Sequence, residues 1–252
     1  MRDEIQFDFS EKRIAVIGAT SGMGLQTARE LVNSGAKVLA IGLGGDLMKS
    51  LVDESNSSIE GYVVDIRDKD ALEEAIIQYV NNHGKLCGSV YTAGVSKTTV
   101  LRSFSEEDAK STMDINYWGW IHWMELASKK KYSEDGSSHV VIASAAAHKG
   151  ESGAFAYSAS KAALITCVQT FAKEIAKRRC RVNSVSPGFI STPLTEGYFT
   201  NRGFSERTIE KHLLGLGKPE DVTGMMLFLL SNRASWITGT DIIIDGGYLV
   251  SD

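Results

Sequence analysis

The sequence predicts an α/β fold in which one doubly wound, parallel sheet carries helices on both faces. Short apolar runs alternate with longer segments of helical periodicity along the whole chain. Such alternation is typical of parallel strands joined by crossover helices. A glycine-rich turn, Gly18 to Gly24, joins the first apolar run to the first helical segment. The chain contains no linker-like stretch and no internal repeat, so we expect a single domain over residues 1–252.

Seven apolar runs have the length and composition of buried strands. They are Arg13–Ile17, Lys37–Ile41, Glu60–Val64, Ser89–Tyr91, His139–Ala143, Arg181–Ser186 and Asp241–Ile244. Connections between neighbouring parallel strands are almost always right-handed, which places the helices on both faces of the sheet.

Seven segments repeat apolar residues at helical spacing. They are Met23–Asn33, Leu47–Glu54, Lys69–Asn82, Glu106–Asp114, Tyr117–Lys131, Ala156–Lys177 and Glu220–Leu230. The stretch from Gly188 to about Lys218 has no clear period and is the longest irregular segment. It is rich in apolar residues, which favours a substrate lid over a disordered excursion. These apolar residues include Phe189, Ile190, Leu194, Tyr198, Phe199 and Phe204.

Composition excludes several classes of function. The net charge is -4 and the basic residues are dispersed, so nucleic acid is not expected as a partner. No apolar stretch approaches membrane-spanning length, and the charged start of the chain lacks the apolar core of a signal peptide. The three cysteines are far apart, which predicts neither disulfides nor a metal site. These features together predict a cytoplasmic protein without a metal.

Tyr157 and Lys161 form the most informative pair in the sequence. Residues four apart lie on one face of a helix, so the lysine cation is expected beside the phenol. A nearby positive charge favours the ionised phenol and lowers its pKa from about 10. Such a phenol can exchange a proton with an alcohol or carbonyl oxygen, and Ser144 is a candidate donor to that same oxygen.

The turn Gly18-Ala19-Thr20-Ser21-Gly22-Met23-Gly24 is a candidate nucleotide site. Glycines allow the backbone to approach a pyrophosphate, and the N-terminus of the following helix offers unpaired N–H groups to it. The spacing differs from the dinucleotide fingerprint G-x-G-x-x-G, so the position between a strand and a helix carries the prediction.

These motifs, taken together, resemble the short-chain dehydrogenase/reductase family of the single-domain type. The resemblance extends from about Arg13 to Gly247 and implies a Rossmann-type fold with a seven-stranded parallel sheet. The matching positions are the glycine turn, Asp65-Ile66, Ala93-Gly94, Asn116, Ser144, Tyr157, Lys161 and Pro187-Gly188. Two positions depart from the family pattern: Ile17 stands where threonine is frequent, and Thr92 stands where asparagine is usual.

The resemblance implies an oxidoreductase that transfers a hydride between NAD(P) and a secondary alcohol or ketone. Tyr157 is then the general acid and base, Ser144 orients the carbonyl, Lys161 lowers the pKa of Tyr157, and Asn116 supports a water beside Lys161. The implied cofactor-binding residues are Gly18, Ser21, Gly22, Met23, Gly42, Asp65, Ile66, Ala93, Gly94, Tyr157, Lys161, Pro187, Gly188, Ile190 and Thr192.

The choice between NAD(H) and NADP(H) stays open in the sequence. An acidic residue at the end of the second strand binds the ribose diol of NAD, whereas arginine there binds the phosphate of NADP. Here Gly42 and Leu43 occupy those positions. Asp46 is either a second candidate for the diol or the N-cap of the helix at Leu47.

Several alternatives share the fold. A 3-oxoacyl-thioester reductase and a sugar or polyol dehydrogenase fit the same motifs. A catalytically silent nucleotide sensor would not need Tyr157 or Lys161, and the divergent enoyl reductases have a wider spacing between tyrosine and lysine. The resemblance also implies a homotetramer or homodimer, with an interface that includes the aromatic helix. Its aromatic residues are Tyr117, Trp118, Trp120 and Trp123.

Overall fold

The computed structural model describes residues 6–197 and 202–251. Its strands are β1 (Arg13–Ile17), β2 (Lys37–Gly42), β3 (Ile59–Val63), β4 (Leu86–Tyr91), β5 (Ser133–Ile142), β6 (Arg181–Pro187) and β7 (Asp241–Ile244). They form one seven-stranded sheet in the order β3-β2-β1-β4-β5-β6-β7, and every pairing is parallel. The predicted fold class is therefore confirmed.

Helices cover both faces of this sheet. They are α1 (Gly22–Asn33), α2 (Gly45–Glu54), α3 (Lys69–His83), α4 (Glu106–Met113), α5 (Gly119–Ala127), α6 (Phe155–Ile175), α7 (Pro193–Glu196), α8 (Arg202–Lys211) and α9 (Pro219–Leu230). One core cluster draws on α3, α5 and α6, and the other draws on α1, α2 and α9. No helix among the described residues has the length and apolar character needed to cross a membrane.

The strand order places a crevice beside β1. Crossovers from β1 lead outward to β2, whereas β4 pairs with the opposite edge of β1. In open α/β sheets the connections after two such strands diverge, and ligands bind in the crevice between them. Ile17, which ends β1, pairs with Ile41 on one side and Tyr91 on the other, so the segments after all three strands meet at this edge.

The segment predicted as an irregular lid is partly helical. It contains α7 and α8, and Ile190 forms an isolated parallel bridge with Gly217 that joins its two ends. Pro193 occupies the first turn of α7, where its missing N–H removes no helical hydrogen bond. Periodicity failed for α7 because a helix of four residues is too short to display one. Tyr198 and Phe199 lie outside the described residues.

Two tryptophans assigned to an expected subunit interface lie in the core of the chain. Trp120 and Trp123 are 1% and 0% exposed, because they pack against the sheet and α6. Trp118 is 48% exposed and its ring lies edge-on to Tyr117. Only Trp118 of these three is thus accessible to another subunit.

A polar network lies inside the core near Trp123. The Nδ1 atom of the His139 ring lies 2.8 Å from Ser89 Oγ, and Nε2 lies 3.1 Å from Ser137 Oγ. Trp123 Nε1 donates to Ser89 Oγ at 2.9 Å. Burial, with a smaller contribution from nearby arginines, lowers the pKa of His139 to about 4. The imidazole is therefore neutral at pH 7 and bridges β4 and β5 through hydrogen bonds.

Candidate active site

A cavity of about 220 Å³ lies over the carboxyl ends of β1, β2 and β4. We call it the glycine-loop cavity. It brings together ten of the predicted cofactor-binding residues, namely Gly18, Ser21, Gly22, Met23, Gly42, Asp65, Ile66, Ala93, Gly94 and Thr192. Thr20, Leu43 and Arg67 also line it and were not predicted as ligands.

The glycine turn has a backbone that side chains would disrupt. Gly18 has φ of +89°, and a Cβ there would lie 2.6 Å from the amide nitrogen of Ala93. Gly22 has φ of +51°, and a Cβ there would lie 3.2 Å from Thr192 Cγ2. Ser21 precedes α1 without capping it through its side chain, so the first-turn N–H groups of this helix remain available to a ligand. This arrangement fits the pyrophosphate of a dinucleotide.

Thr92 restrains the turn from the side of β4. Its hydroxyl donates to the carbonyl oxygen of Ile17 at 2.8 Å, and its backbone N–H donates to the same oxygen at 2.8 Å. The unusual threonine therefore ties β4 directly to the end of β1.

Asp65 is held at the edge of the glycine-loop cavity by Arg67. The Arg67 guanidinium contacts both carboxylate oxygens, and Oδ1 also accepts the Arg67 backbone N–H at 3.0 Å. The arginine lowers the pKa of Asp65, chiefly through the side-chain hydrogen bonds. The following helix α3 is capped by Asp68, whose carboxylate accepts from Ala71 N, so Asp65 takes no part in that cap. Asp65 thus remains at the cavity as an ionised acceptor.

Two further candidates near the nucleotide differ in position from the expectation. Asp46 lies in the first turn of α2 after the N-cap Gly44, and it does not line the glycine-loop cavity. The Ile190 side chain is 5% exposed and packs against Gly217, so its backbone is the part left for a ligand. Sequence spacing could not reveal either orientation.

A second cavity, of about 650 Å³, contains the predicted catalytic hydroxyls. We call it the Ser–Tyr cavity. Ser144, Tyr157, Pro187 and Gly188 all line it. Leu194 lines both cavities, so the two adjoin beneath α7. A nucleotide in the first cavity can therefore extend toward the hydroxyls of the second.

Ser144 follows β5 and is 8% exposed. Its Oγ accepts the backbone N–H of Ala146 at 3.1 Å, and this bond caps the short helical turn Ala145–Ala147. An oxygen that accepts through a lone pair keeps its own proton for donation. Ser144 is thereby oriented as a donor into the Ser–Tyr cavity.

Lys161 is buried beneath Tyr157 on α6. Its Nζ donates to the carbonyl oxygen of Ile142 at 2.7 Å and lies 5.8 Å from the centroid of the Tyr157 ring. Burial lowers the pKa of Lys161 to about 8. At neutral pH the ammonium group is thus mostly protonated, and its charge acts on the phenol through a low-dielectric environment.

Asn116 lies in a π-helical segment, Asp114–Trp118, between α4 and α5. Its Nδ2 donates to Val95 O and Ser160 Oγ, each at 3.0 Å, and its Oδ1 accepts from Val95 N at 2.8 Å. Ser160 Oγ in turn donates to the carbonyl oxygen of Tyr157 at 2.7 Å. The side chain of Asn116 therefore fixes the segment after β4 to the helix that carries Tyr157.

Several residues of the Ser–Tyr cavity were missed by sequence analysis. Glu151 and Tyr248 line it, and neither was among the predicted site residues. His148 follows the turn that begins at Ser144 but does not line the cavity, and its Nε2 lies 2.8 Å from a carboxylate oxygen of Asp241. Within residues 6–197 and 202–251, no group of three or more histidine, cysteine or acidic side chains could hold a metal ion.

Comparison with known proteins identifies the family. The sequence profile described as enoyl-(acyl carrier protein) reductase matches residues 18–249. The chain is 33% identical to the 3-oxoacyl-(acyl-carrier-protein) reductase FabG of Thermotoga maritima, covering 93% of this chain and 96% of that protein. It is 34% identical to carbonyl reductase family member 4 of Xenopus laevis, covering 94% and 97%.

A solved structure agrees with these sequence matches. A short-chain type dehydrogenase/reductase from Mycobacterium ulcerans superposes with a TM-score of 0.91 at 30% identity, covering 97% of this chain and 92% of that one. This chain is therefore an oxidoreductase of the Rossmann-fold type. It belongs to the short-chain dehydrogenase/reductase family.

Proposed function

We propose that this protein is an NAD(P)-dependent oxidoreductase that interconverts a secondary alcohol and a ketone of a small molecule. The observation that carries the proposal is the shared wall at Leu194, which joins the glycine-loop cavity to the cavity lined by Ser144 and Tyr157. The proposed nucleotide phosphate site and the proposed proton-exchanging pair thus line two adjoining cavities.

The side chains divide the chemistry among them. In reduction, Tyr157 donates a proton to the carbonyl oxygen, and in oxidation it accepts the alcohol proton. Ser144 donates a hydrogen bond to the same oxygen and polarises the carbonyl. Lys161 stabilises the phenolate through its charge. Asn116 acts as a positioning residue through Ser160 and the Tyr157 carbonyl.

The proposed cofactor residues would hold a dinucleotide. Gly18, Gly22 and the first turn of α1 would receive the pyrophosphate, and Asp65 would accept from the adenine amine. The segment Pro187 through Thr192 would contact the nicotinamide, and Lys161 would bond the ribose. When bound, the nicotinamide supplies or accepts the hydride.

A second candidate function is the reduction of 3-oxoacyl thioesters. It is favoured by the resemblance to the Thermotoga maritima protein and by the apolar part of the cavity, which includes Ala145, Ala154 and Phe189. A catalytically silent sensor is disfavoured, because Ser144 and Tyr157 line one cavity and Lys161 Nζ lies 5.8 Å from the Tyr157 ring centroid.

Nicotinamide oxidation by wild type and Tyr157→Phe tests the proposal. The assay uses a panel of ketones and one 3-oxoacyl thioester, with NADH and NADPH in turn. We expect turnover to fall by about 10² to 10⁴ in Tyr157→Phe while cofactor binding persists. Tyr62→Phe, which changes a hydroxyl paired with Glu60 outside both cavities, is the matched control. Equal turnover in wild type and Tyr157→Phe would refute the proposal.

We also propose a homodimer or homotetramer, since Trp118 and Phe155 expose apolar surface beside α5 and α6. Sedimentation velocity measures this state directly. The proposed cytoplasmic location is supported by the unpaired state of Cys87, Cys167 and Cys180.

A further inference from the structure

One charged side chain lines the Ser–Tyr cavity together with Ser144 and Tyr157. Among the described residues that line this cavity, Glu151 alone carries a formal charge at neutral pH. The polar residues around it are hydroxyl-bearing, namely Ser96, Thr98, Ser144, Ser152, Tyr157, Thr195 and Tyr248. The cavity therefore has a negative charge and no lining cation to receive an acidic substrate.

The carboxylate of Glu151 is held in position by Tyr248. The Tyr248 hydroxyl donates to Glu151 Oε1, and Tyr248 is only 9% exposed. Burial and this hydrogen bond raise the pKa of Tyr248, so its hydroxyl remains a donor. A carboxylate has about four lone-pair positions, so a single tyrosine donor leaves Glu151 able to accept from a ligand.

A second layer of contacts fixes Tyr248 itself. Its ring stacks on His212 with 4.7 Å between centroids and an interplanar angle of 20°. His212 Nε2 accepts the backbone N–H of Phe189 at 3.0 Å, and Nδ1 lies 2.6 Å from Thr208 O. Through His212, Tyr248 is thus anchored to both the segment after β6 and helix α8. The carboxylate of Glu151, which accepts from Tyr248, is therefore held in a fixed position.

Two described lysines lie near the cavity without lining it: Lys161 beneath Tyr157, and Lys149 beside Tyr248. Lys149 is exposed, and its Nζ lies 5.2 Å from the centroid of the Tyr248 ring. It forms no ion pair with Glu151 within 4.0 Å. An exposed charge is strongly screened by water and salt, so Lys149 offsets only part of the field of Glu151.

We propose that Glu151, positioned by Tyr248, selects substrates that carry a hydrogen-bond donor, either a hydroxyl or an ammonium group, remote from the reacting carbon. The same carboxylate rejects substrates with a carboxylate or phosphate at that position, because two like charges would be desolvated together. This inference rests on the proposed alcohol–ketone chemistry and extends it to the class of substrate.

Cyclohexanones with one substituent at carbon 4 provide a matched test. The substituents are methyl, hydroxyl, ammonium and carboxylate on one reacting skeleton. In wild type we expect kcat/KM for the hydroxyl and ammonium compounds to exceed that for the methyl compound by about tenfold or more. We expect the carboxylate compound to have the lowest kcat/KM. The hydroxyl compound is a neutral donor and the ammonium compound a charged one, so comparing the two separates the effect of hydrogen bonding from that of charge.

Glu151→Gln keeps the size of the side chain and removes its charge. We expect KM for the ammonium compound to rise to that for the methyl compound, and KM for the carboxylate compound to fall. The kcat for the methyl compound should stay unchanged. Tyr248→Phe should raise KM for the donor compounds in the same way. Glu196→Gln removes an exposed charge on α7 outside the cavity and is the matched control.

Each outcome decides the proposal. Equal efficiency of all four compounds in wild type, or an equal change in all four on Glu151→Gln, overturns it. If wild type reduces none of the ketones, the proposed function fails, and calorimetric binding of the same compounds then decides this inference. Preferential binding of the ammonium compound that is lost in Glu151→Gln upholds the inference, and binding without preference, or no binding, overturns it.

Discussion

The buried ammonium group of Lys161 is expected to lower the free energy of unfolding of this protein. Lys161 is 3% exposed, and no carboxylate lies within 4.0 Å of Nζ among the described residues. Its one described hydrogen bond is to the carbonyl oxygen of Ile142. Lys161→Met keeps an unbranched side chain of similar length while it removes the charge. We therefore expect the variant to lose activity and gain stability.

The magnitude follows from the pKa. Burial lowers the pKa of Lys161 from 10.5 to about 8. At 1.36 kcal/mol for each pKa unit, that difference is about 3 kcal/mol at neutral pH. Loss of the hydrogen bond to Ile142 O returns about 1 kcal/mol. The expected net gain is about 2 kcal/mol, or about 4–8 °C in Tm for a chain of this size.

The pH dependence has a definite sign. Between pH 8 and 10.5 the unfolded chain binds more protons at this lysine than the folded chain does. Folded wild type therefore gains stability relative to Lys161→Met as pH rises through this window, and the full cost of the buried charge is present below it. Tyr157 is coupled to Lys161, so both proteins carry Tyr157→Phe, and the remaining titrating groups then contribute equally to both proteins and cancel in the difference.

Unfolding by urea at pH 7 and pH 10 measures this difference, with cofactor-free protein at one fixed concentration. Lys173→Met replaces an exposed lysine on the same helix and should change the unfolding free energy by less than about 0.5 kcal/mol. A Lys161→Met variant less stable than wild type at pH 7, or an advantage that does not shrink at pH 10, would refute the reasoning.

Two other predictions concern the cofactor and the core. Leu43 is 61% exposed beside Gly42 at the glycine-loop cavity. A guanidinium at this position can bind the ribose phosphate of NADPH, so Leu43→Arg should lower KM for NADPH about tenfold and leave KM for NADH unchanged. Leu43→Gln is the control, and equal effects on both cofactors would contradict the prediction. Because burial lowers the pKa of His139 from 6.5 to about 4, its neutral ring contributes fully to the free energy of unfolding above pH 6.5. About 3 kcal/mol of that contribution should be lost as the pH falls from 6.5 through 4. Proton NMR should show a neutral His139 ring at pH 5.5, and titration of this ring above pH 6 would disprove the assignment.

Local patterns account for the parts of the site that were predictable. Helical spacing alone placed Tyr157 and Lys161 on one face, and α6 carries them so. The glycine turn lies at the end of β1 because its positive φ angles need residues without a Cβ. Strand ends were less accurate, since β5 begins at Ser133 instead of His139 and its first part is polar and partly exposed. Hydrophobic period cannot detect such an extension.

Contacts between distant segments account for what was missed. Glu151, His212 and Tyr248 share no motif, yet they meet because α8 and the end of the chain fold back over β6. Trp120 was expected at an interface, but whether an aromatic residue on a helix faces a core or a partner depends on which face the sheet covers. Neither fact is encoded within a single turn of helix or a single strand.

The amino-acid sequence by itself determined the parallel α/β architecture, the family and the order of the proton-exchanging residues, because these depend on local period and on short-range spacing. The tertiary structure decided that the glycine-loop cavity and the Ser–Tyr cavity adjoin at Leu194, that Lys161 is buried, and that Glu151 is the charged side chain among the described residues lining the Ser–Tyr cavity. Burial, pKa and cavity charge arise from groups far apart in the chain, and only the packing of the helices on the sheet brings those groups together.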